Sequence, residues 1–343
     1  MQPFEWLDAR SQAEAVGAGA TTVAAAMIAP ADGRPSRDAV IVKAGGIDLL
    51  DLMKEGLLQP RRVVNLRGVP GLDRIVEGDD GALHIGALVT LAQLAEHPLV
   101  RARYAALADT ARQSASPQIR NVATLGGNLL QRPRCWYFRS AYHHCVRKGG
   151  EICFAFGGEN QYHAIFDQHG CAIVHPSTAA TALVAFGAKV VLAAAGGSPR
   201  EVLLEDFLLP PDRDLHREND LRAGEILTEI VLPRPTRPLR SVHLKQGEKD
   251  GFDWSIADVA VVLGLAADGV CESASIVLGA AAPVPHRATA AEAALIGVSV
   301  REEAARSAAH AALAGAVPLS KNAYKLPVFE ALVRRAILAA AAA

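Results

Sequence analysis

Residues 131–175 show neither helical nor strand periodicity, and an irregular stretch of this length is hard to hold in a compact domain by a hydrophobic core of its own. What it carries instead is Cys135, Cys145, Cys153 and Cys171, four of the five cysteines of a 343-residue chain. Bonds from thiolates to a metal would supply the missing cross-links. Five cysteines in a chain this long do not resemble a secreted disulfide framework, so metal or cluster binding is the question the segment raises. The spacing, C-x9-C-x7-C-x17-C, is looser than a ferredoxin run or a paired C-x-x-C zinc site. Thiolates suit iron–sulfur clusters, zinc and Cu(I) alike, and His143, His144, His163, His169 and His175 are at hand for a mixed cysteine–histidine zinc site. Spacing alone leaves cluster, zinc and unrelated thiols open. Cys271 stands apart and reads as a buried structural thiol.

Two glycine turns precede the segment. Ala39-Val40-Ile41-Val42 reads as a strand ending in Lys43-Ala44-Gly45-Gly46-Ile47-Asp48, and Leu49 to Lys54 continues with helical period. Thr124-Leu125-Gly126-Gly127-Asn128 is the second turn. A strand that enters Gly-Gly and leaves into a helix presents bare backbone N–H groups to an anion, and Thr124 adds a hydroxyl. Neither turn has the spacing of a Rossmann fingerprint, and a lone Gly-Gly is more often a plain tight turn. Clustered thiolates beside turns of this kind suggest electron transfer at a bound dinucleotide.

The formal net charge is −1, which excludes the electrostatic footprint of a nucleic-acid or anionic-membrane binder. A small molecule or another protein is the expected partner. Met1 to Trp6 lacks the basic and apolar regions of a secretory signal. The uncharged stretch from Ala15 to Ala31 is too weakly apolar to span a membrane, contains Pro30, and reads as buried helix, strand and loop. The expected location is the cytoplasm, or the periplasm only through co-export with a signal-bearing partner.

Residues 1–60 read as helix, strand, tight turn and helix. Short β-branched runs follow at 62–66 and 83–87, and Thr90 is placed to cap a helix that opens an Ala-rich helical region reaching Ser114, with Pro117 as breaker. Thr178 begins a helix leading into a strand at 188–192. Ile226 to Leu232 alternates as a strand and stops at Pro233-Arg234-Pro235, a linker signal. Beyond residue 238 strands at 243–246, 257–263 and 274–278 precede two Ala-rich helices, and the terminal alanines are expected to fray. The chain thus divides into 1–60, 61–235 with the insert at 131–175, and 238–343.

Lys43 to Leu50 and Ala123 to Leu129, followed in order by Gly224 to Ile230, Leu244-Lys245-Gln246, Phe252-Asp253-Trp254, Asn322 to Pro327 and Leu332 to Arg335, carry a resemblance. The chain resembles the FAD-binding medium subunit of the molybdenum hydroxylases, the xanthine dehydrogenase and carbon monoxide dehydrogenase family, over nearly its whole length. Arg134-Cys135-Trp136-Tyr137-Phe138 and Gly170 to Ser177 resemble the subgroup with a [4Fe-4S] loop inserted in this subunit, closest to the aldehyde oxidoreductase type.

The resemblance implies an α+β fold. A two-subdomain FAD-binding domain of the PCMH, or vanillyl-alcohol-oxidase-like, type would carry the inserted iron–sulfur loop, and a small α+β domain of the carbon monoxide dehydrogenase flavoprotein type would follow. It implies that Lys43, Ala44, Gly45, Gly46, Ile47, Asp48 and Leu49, with Thr124, Gly126, Gly127 and Asn128, hold the pyrophosphate and ribityl chain of FAD. Leu227 and Lys245 would lie near the isoalloxazine. Thr178 stands where many relatives have aspartate after the serine, which changes one polar contact to FAD. Cys135, Cys145, Cys153 and Cys171 would ligate the [4Fe-4S] cluster.

By the same resemblance a separate large subunit with a molybdenum cofactor oxidises the organic substrate, an aldehyde or N-heteroaromatic compound. A small subunit with [2Fe-2S] clusters relays the electrons, and FAD on this chain passes them to ferredoxin, quinone or oxygen. The absence of a nucleophilic or acid–base constellation in the sequence fits that division. A 4-hydroxybenzoyl-CoA reductase-type subunit would run the current toward substrate. A stand-alone flavoprotein oxidoreductase and a zinc-stabilised scaffold without flavin are the remaining rivals. Arg132, Arg134, Arg139, Arg147 and Lys148 make the insert basic, and would tune an anionic cluster, dock an acidic partner or face solvent.

Overall fold

The computed structural model describes residues 1–28, 35–249 and 251–343. Val40, Ile41 and Val42 can be apolar on both sides because their strand is covered on both faces. In the first unit, β1 (Glu5–Asp8), helices α1 (Gln12–Gly17) and α2 (Val23–Met27), β2 (Val40–Lys43), α3 (Ile47–Lys54) and β3 (Arg62–Asn65) form a parallel sheet of order β1-β3-β2. Ile41 and Val63 point into a core with Leu49, Leu52 and Met53 of α3, whereas Val40 and Val64 point into a second core with Ala15 and Val16 of α1. The predicted order of this unit lacked β1, whose residues are mostly exposed. No strand forms within the described part of Ala15–Ala31, and residues 29–31 of that stretch lie outside the described residues.

The second unit is an antiparallel sheet of order β4-β5-β8-β6-β7, from β4 (Ile75–Glu77), β5 (Leu83–Gly86), β6 (Lys189–Ala193), β7 (Arg200–Leu203) and β8 (Ile226–Leu232). Its apolar face meets α4 (Leu91–Glu96), α6 (Ala105–Gln113) and α9 (Thr178–Ala185) in the largest core. Thr90 caps α4 in a full capping box with Gln93, as its position predicts.

The single Ala-rich helical region is instead three helices. Pro98 ends α4 and opens α5 (Pro98–Arg103) at its first position. Tyr104 then leaves helical geometry to bury its ring edge-on against Phe186 and donate its hydroxyl to Pro233 O at 2.8 Å. Pro117 opens the short α7 (Pro117–Arg120) rather than only breaking a helix, and α8 (Leu125–Leu129) follows the second glycine turn. Between α8 and α9 the insert holds one 3-10 turn, Val146–Lys148. The short helix α10 (Leu204–Phe207) follows β7.

The third unit is an antiparallel sheet of order β12-β11-β10-β9, built from β9 (Arg240–Gln246), β10 (Ala257–Leu265), β11 (Cys271–Gly279) and β12 (His286–Arg287). Val259, Val261 and Leu263 of β10 face its own helices, while Ala260 and Val262 join the core of the second unit. Three helices cover the sheet where two were expected: α11 (Thr289–Leu295), α12 (Glu302–Ala311) and α13 (Lys325–Ala342). The terminal alanines do not fray. They extend α13 to Ala342, and Ala336 and Ala340 are fully buried, small enough for close helix packing. Cys271 is a buried thiol that donates to Ser273 O.

Candidate functional site

A cavity of about 430 Å3 opens where the first two units and β9 converge. Lys43, Ala44, Gly45, Gly46, Ile47, Asp48 and Leu49 line it, as do Thr124, Gly126, Gly127, Asn128, Thr178, Leu227 and Lys245. The two glycine turns, some eighty residues apart in sequence, are packed together. A Cβ on Gly45 would fall on the carbonyl oxygen of Val122, and one on Gly126 would lie 2.8 Å from Ala87 Cβ. Gly46 has φ 87°, a conformation that admits glycine readily, and turns the chain from β2 into α3. No side chain caps α3, so the free N–H groups of its first turn are left for a ligand. Thr124 accepts from Gly127 N at 3.1 Å as the cap of α8.

Each polar side chain among the predicted site residues has a partner that defines its task. Lys43 is buried, donates to Ala44 O and Asn65 Oδ1, and supports the first turn from beneath; burial, with Arg67 nearby, holds its pKa below the usual lysine value. Asp48 Oδ2 accepts from Arg132 N at 2.9 Å, and Oδ1 accepts from Arg139 Nη2 at 2.7 Å and pairs with Arg134 Nη2 at 2.8 Å. Its carboxylate is thus committed to the cysteine insert. Asn128 Oδ1 accepts from Ser177 Oγ at 2.5 Å. Thr178 shares a hydrogen bond with Ser114 Oγ at 3.1 Å, a neutral hydroxyl pair on the cavity wall. Lys245 donates to Gln113 O at 3.3 Å, and burial lowers its pKa. Leu227 sits beside a bulge between β6 and β8, a feature common next to binding sites.

Two parts of the wall were not singled out as site residues. The segment 217–225 has no periodic signal; Arg200 fixes it by donating to both Glu225 oxygens, Asp220 Oδ2 and Asp220 O. Burial alone would raise the Glu225 carboxyl, and the Arg200 hydrogen bonds reverse this to hold it below the usual range. Phe252 and Trp254 carry the resemblance without an assigned role; both line the cavity, exposed, with the Arg134 guanidinium 4.5 Å over the Trp254 ring. An exposed aromatic pair between β9 and β10 was the available signal.

The insert brings its cysteines together. Cys135, Cys145 and Cys171 lie within electrostatic reach of one another, and Cys153 lies beside Cys171. Burial pushes the Cys135 thiol up to about 12 and raises Cys145. The neighbouring Cys153 thiol, with the Arg147 guanidinium beside it, holds Cys171 below the usual thiol value. Among the described residues no three His, Cys, Asp or Glu side chains converge for a single metal ion; a four-iron cube spreads its ligands more widely. His163 Nε2 contacts Cys135 Sγ at 3.2 Å, and His163 and His175 are buried, each held down to about 4 by burial.

The solvent-facing alternative for the basic residues fails. Arg132, Arg147 and Lys148 are 3%, 1% and 6% exposed, and among the described residues Glu218 is the one buried carboxylate paired with the two arginines, while Lys148 donates to Ser140 O. Arg132 Nη1 and Arg147 Nη1 bind its two oxygens at 2.8 and 2.7 Å. Arg132 Nε and Nη2 and Arg147 Nη2 are buried without partners. A buried surplus of positive charge with unused donors is costly unless an anionic group sits beside it, and a metal centre held by four thiolates is such a group. The donor set therefore fits an anionic thiolate-ligated centre.

A family model described as the FAD binding domain in molybdopterin dehydrogenase matches residues 2–235, and the CO dehydrogenase flavoprotein C-terminal domain matches residues 242–340. The chain is 36% identical over 285 residues to the aldehyde oxidoreductase FAD-binding subunit PaoB of Escherichia coli, covering 82% of this chain and 86% of that protein. It is 29% identical over 302 residues to the carbon monoxide dehydrogenase medium chain of Hydrogenophaga pseudoflava, covering 87% and 88%. A chain in a solved structure of carbon monoxide dehydrogenase from the same organism superposes with a TM-score of 0.72 at 27% identity, over 99% of this chain and 98% of that one.

Proposed function

The chain belongs to the FAD-binding medium subunits of the molybdenum hydroxylase family, which makes it an oxidoreductase subunit, and from that premise we propose that it is a two-centre electron-transfer subunit. In this reading FAD occupies the cavity bounded by the two glycine turns, and Cys135, Cys145, Cys153 and Cys171 hold a [4Fe-4S] cluster. The chain assembles with a large molybdenum-cofactor subunit and a small [2Fe-2S] subunit and delivers their electrons to an external acceptor. Aldehyde oxidation is the favoured overall reaction, in keeping with the similarity to an aldehyde oxidoreductase subunit.

The observation that carries the reading is the wall common to both centres. Asp48, in the first turn of α3, accepts from Arg132 N; Arg132 binds Glu218; Glu218 binds Arg147; and Arg147 Nε donates to Cys171 Sγ at 3.4 Å. Arg132 and Glu218 also line the cavity. FAD, when bound, supplies a centre that accepts electrons singly and releases one or two. The chain's own residues orient and insulate. The glycine turns offer backbone N–H groups to a pyrophosphate, Lys43 braces the first turn, and Phe252 and Trp254 cover the cavity from the third unit.

The test is iron, acid-labile sulfide, zinc and flavin per chain on anaerobically purified complex, with the visible spectrum before and after dithionite. About four iron, four sulfide and one FAD are expected, with iron falling in each of Cys135→Ser, Cys145→Ser, Cys153→Ser and Cys171→Ser. Stoichiometric zinc without sulfide would reduce the insert to a structural clasp. A folded complex lacking both iron and flavin would sink the reading.

A further inference from the structure

We propose that Arg147 and Glu218 form an opposed pair that sets the reduction potential of the metal centre, Arg147 raising it and Glu218 lowering it. The inference rests on the cluster reading above and adds which residues tune the cluster and in which direction.

Arg147 is 1% exposed and uses its guanidinium in two directions. Nε donates to Cys171 Sγ at 3.4 Å, Nη1 donates to Glu218 Oε1 at 2.7 Å, and Nη2 is buried with no partner. Glu218, 5% exposed, is held in place by Arg132 on its other oxygen and by the backbone hydrogen bond from Leu209 N to Glu218 O. The carboxylate is therefore fixed one guanidinium away from the ligand sulfur. Reduction adds one electron, drawn from the molybdenum-bearing partner, and places one more negative charge beside Cys171 without making or breaking a bond. A fixed cation hydrogen-bonded to that sulfur stabilises the added charge, and hydrogen bonds to ligand sulfurs are an established control of cluster potential. A fixed carboxylate behind the cation opposes it. Water cannot screen either charge at this depth.

Replacing Arg147 by a neutral residue therefore makes reduction harder, and replacing Glu218 by one makes it easier. The Arg147 hydrogen bond strengthens as the sulfur becomes more negative, and a neutral replacement forfeits part of that gain. We expect about a tenfold change in the reduction equilibrium in each case, which is 59 mV for a one-electron couple. Opposite signs separate tuning from structural damage, which would disturb both variants alike. Arg147 does not line the flavin cavity, so flavin content should not change in Arg147→Gln.

The experiment is an EPR-monitored potentiometric titration of the cluster signal in the complex purified with its partner subunits, for wild type, Arg147→Gln, Arg147→Lys and Glu218→Gln. A fall for Arg147→Gln, a smaller fall for Arg147→Lys and a rise for Glu218→Gln are expected, with iron at wild-type levels throughout and flavin at wild-type levels in the two Arg147 variants. If Arg147→Gln loses iron, the sign for Glu218→Gln decides: a rise supports the pair and its absence overturns it. Unmoved potentials, shifts in one common direction, or loss of iron from both neutral variants would overturn the inference while leaving the cluster in place in the wild type. A wild-type complex without iron and sulfide would overturn the cluster reading itself, and the inference with it.

Discussion

Gly45→Ala tests the packing of the two glycine turns. A Cβ at this position would fall on Val122 O, with Val122 C 3.1 Å and Ala123 Cα 3.2 Å away. All of these are backbone atoms. They are pinned by Val122 N donating to Ile119 O at 3.0 Å and Leu91 N donating to Ala123 O at 2.9 Å, so no rotamer change relieves the clash. Overpacking costs about 1–3 kcal/mol, and rigid backbone on both sides places this case near 3. For a unit of this size that lowers the melting temperature by roughly 6–12 °C. If the turns part to make room, the strain is released at the expense of the cavity wall, and a loss of about 3 kcal/mol in binding is roughly a hundredfold in FAD affinity. Thermal unfolding and fluorescence titration with FAD read the two quantities. Gly127→Ala is the control: its Cβ would meet Thr124 Oγ1 at 3.0 Å and Ala44 Cβ at 3.9 Å. It should change stability by less than about 1 kcal/mol while weakening FAD binding by intruding on the cavity. A Gly45→Ala protein that melts within about 2 °C of wild type and keeps its flavin would refute the packing argument.

Asp48→Ala removes the acceptor for Arg132 N and for two guanidiniums at once, at a cost of about 3 kcal/mol, and iron and flavin contents should fall together; loss of one alone would show that Asp48 does not join the two centres. Lys325 is fully buried, donating to His163 O and Ala280 O, and burial lowers its pKa to about 7 against about 10.4 unfolded. Between about pH 7 and 10 the unfolded chain binds the additional proton, so stability should rise with pH across that window. Lys325→Met should lose that slope in urea denaturation at stepped pH, and an unchanged slope would refute the assignment.

What was legible in the sequence follows from local physics. The strands β2, β3, β5 and β8 announce themselves because burial on one or both faces demands apolar runs, and Thr90 announces α4 because a cap needs a side-chain oxygen. The strands β1, β4 and β7 are short and largely exposed, and leave no such demand. Each residue proposed for FAD lines the cavity, yet what Asp48 does there was not legible, because its partners lie 84 to 91 positions away. Glu218 was missed for the same reason. Its partner Arg147 is 71 positions distant, and nothing local distinguishes a buried, doubly paired glutamate from a surface one. The basic residues of the insert showed only that charge was present. The structure gives its depth, and depth turns charge into a constraint on what sits beside it.

The length of the irregular insert suggested metal bonds as its cross-links, but the fold supplies other anchors. Ile165 N and Phe166 N donate to Ala281 O, and His175 N donates to Ala282 O, which ties the insert to the third unit beyond β11. Asn322 Nδ2 donates to His163 O and Ala164 O, and Lys325 Nζ also reaches His163 O. Asn160 Oδ1 accepts from Lys321 N, while its amide donates to Ala155 O. Ile165 and Phe166 enter the core of the third unit. With backbone and apolar ends so anchored, the proposed metal centre would not be the sole support of the segment. Its removal should cost far less than the roughly 10–16 kcal/mol that structural zinc contributes to a small finger domain. Anaerobic treatment with a chelator and ferricyanide should therefore strip iron while leaving the far-UV circular dichroism and the FAD near wild-type levels, with new proteolytic cleavage limited to the exposed stretches near residues 141–144 and 149–152. Cooperative unfolding of the whole chain on iron loss would refute this view and return the insert to the role its irregularity first implied.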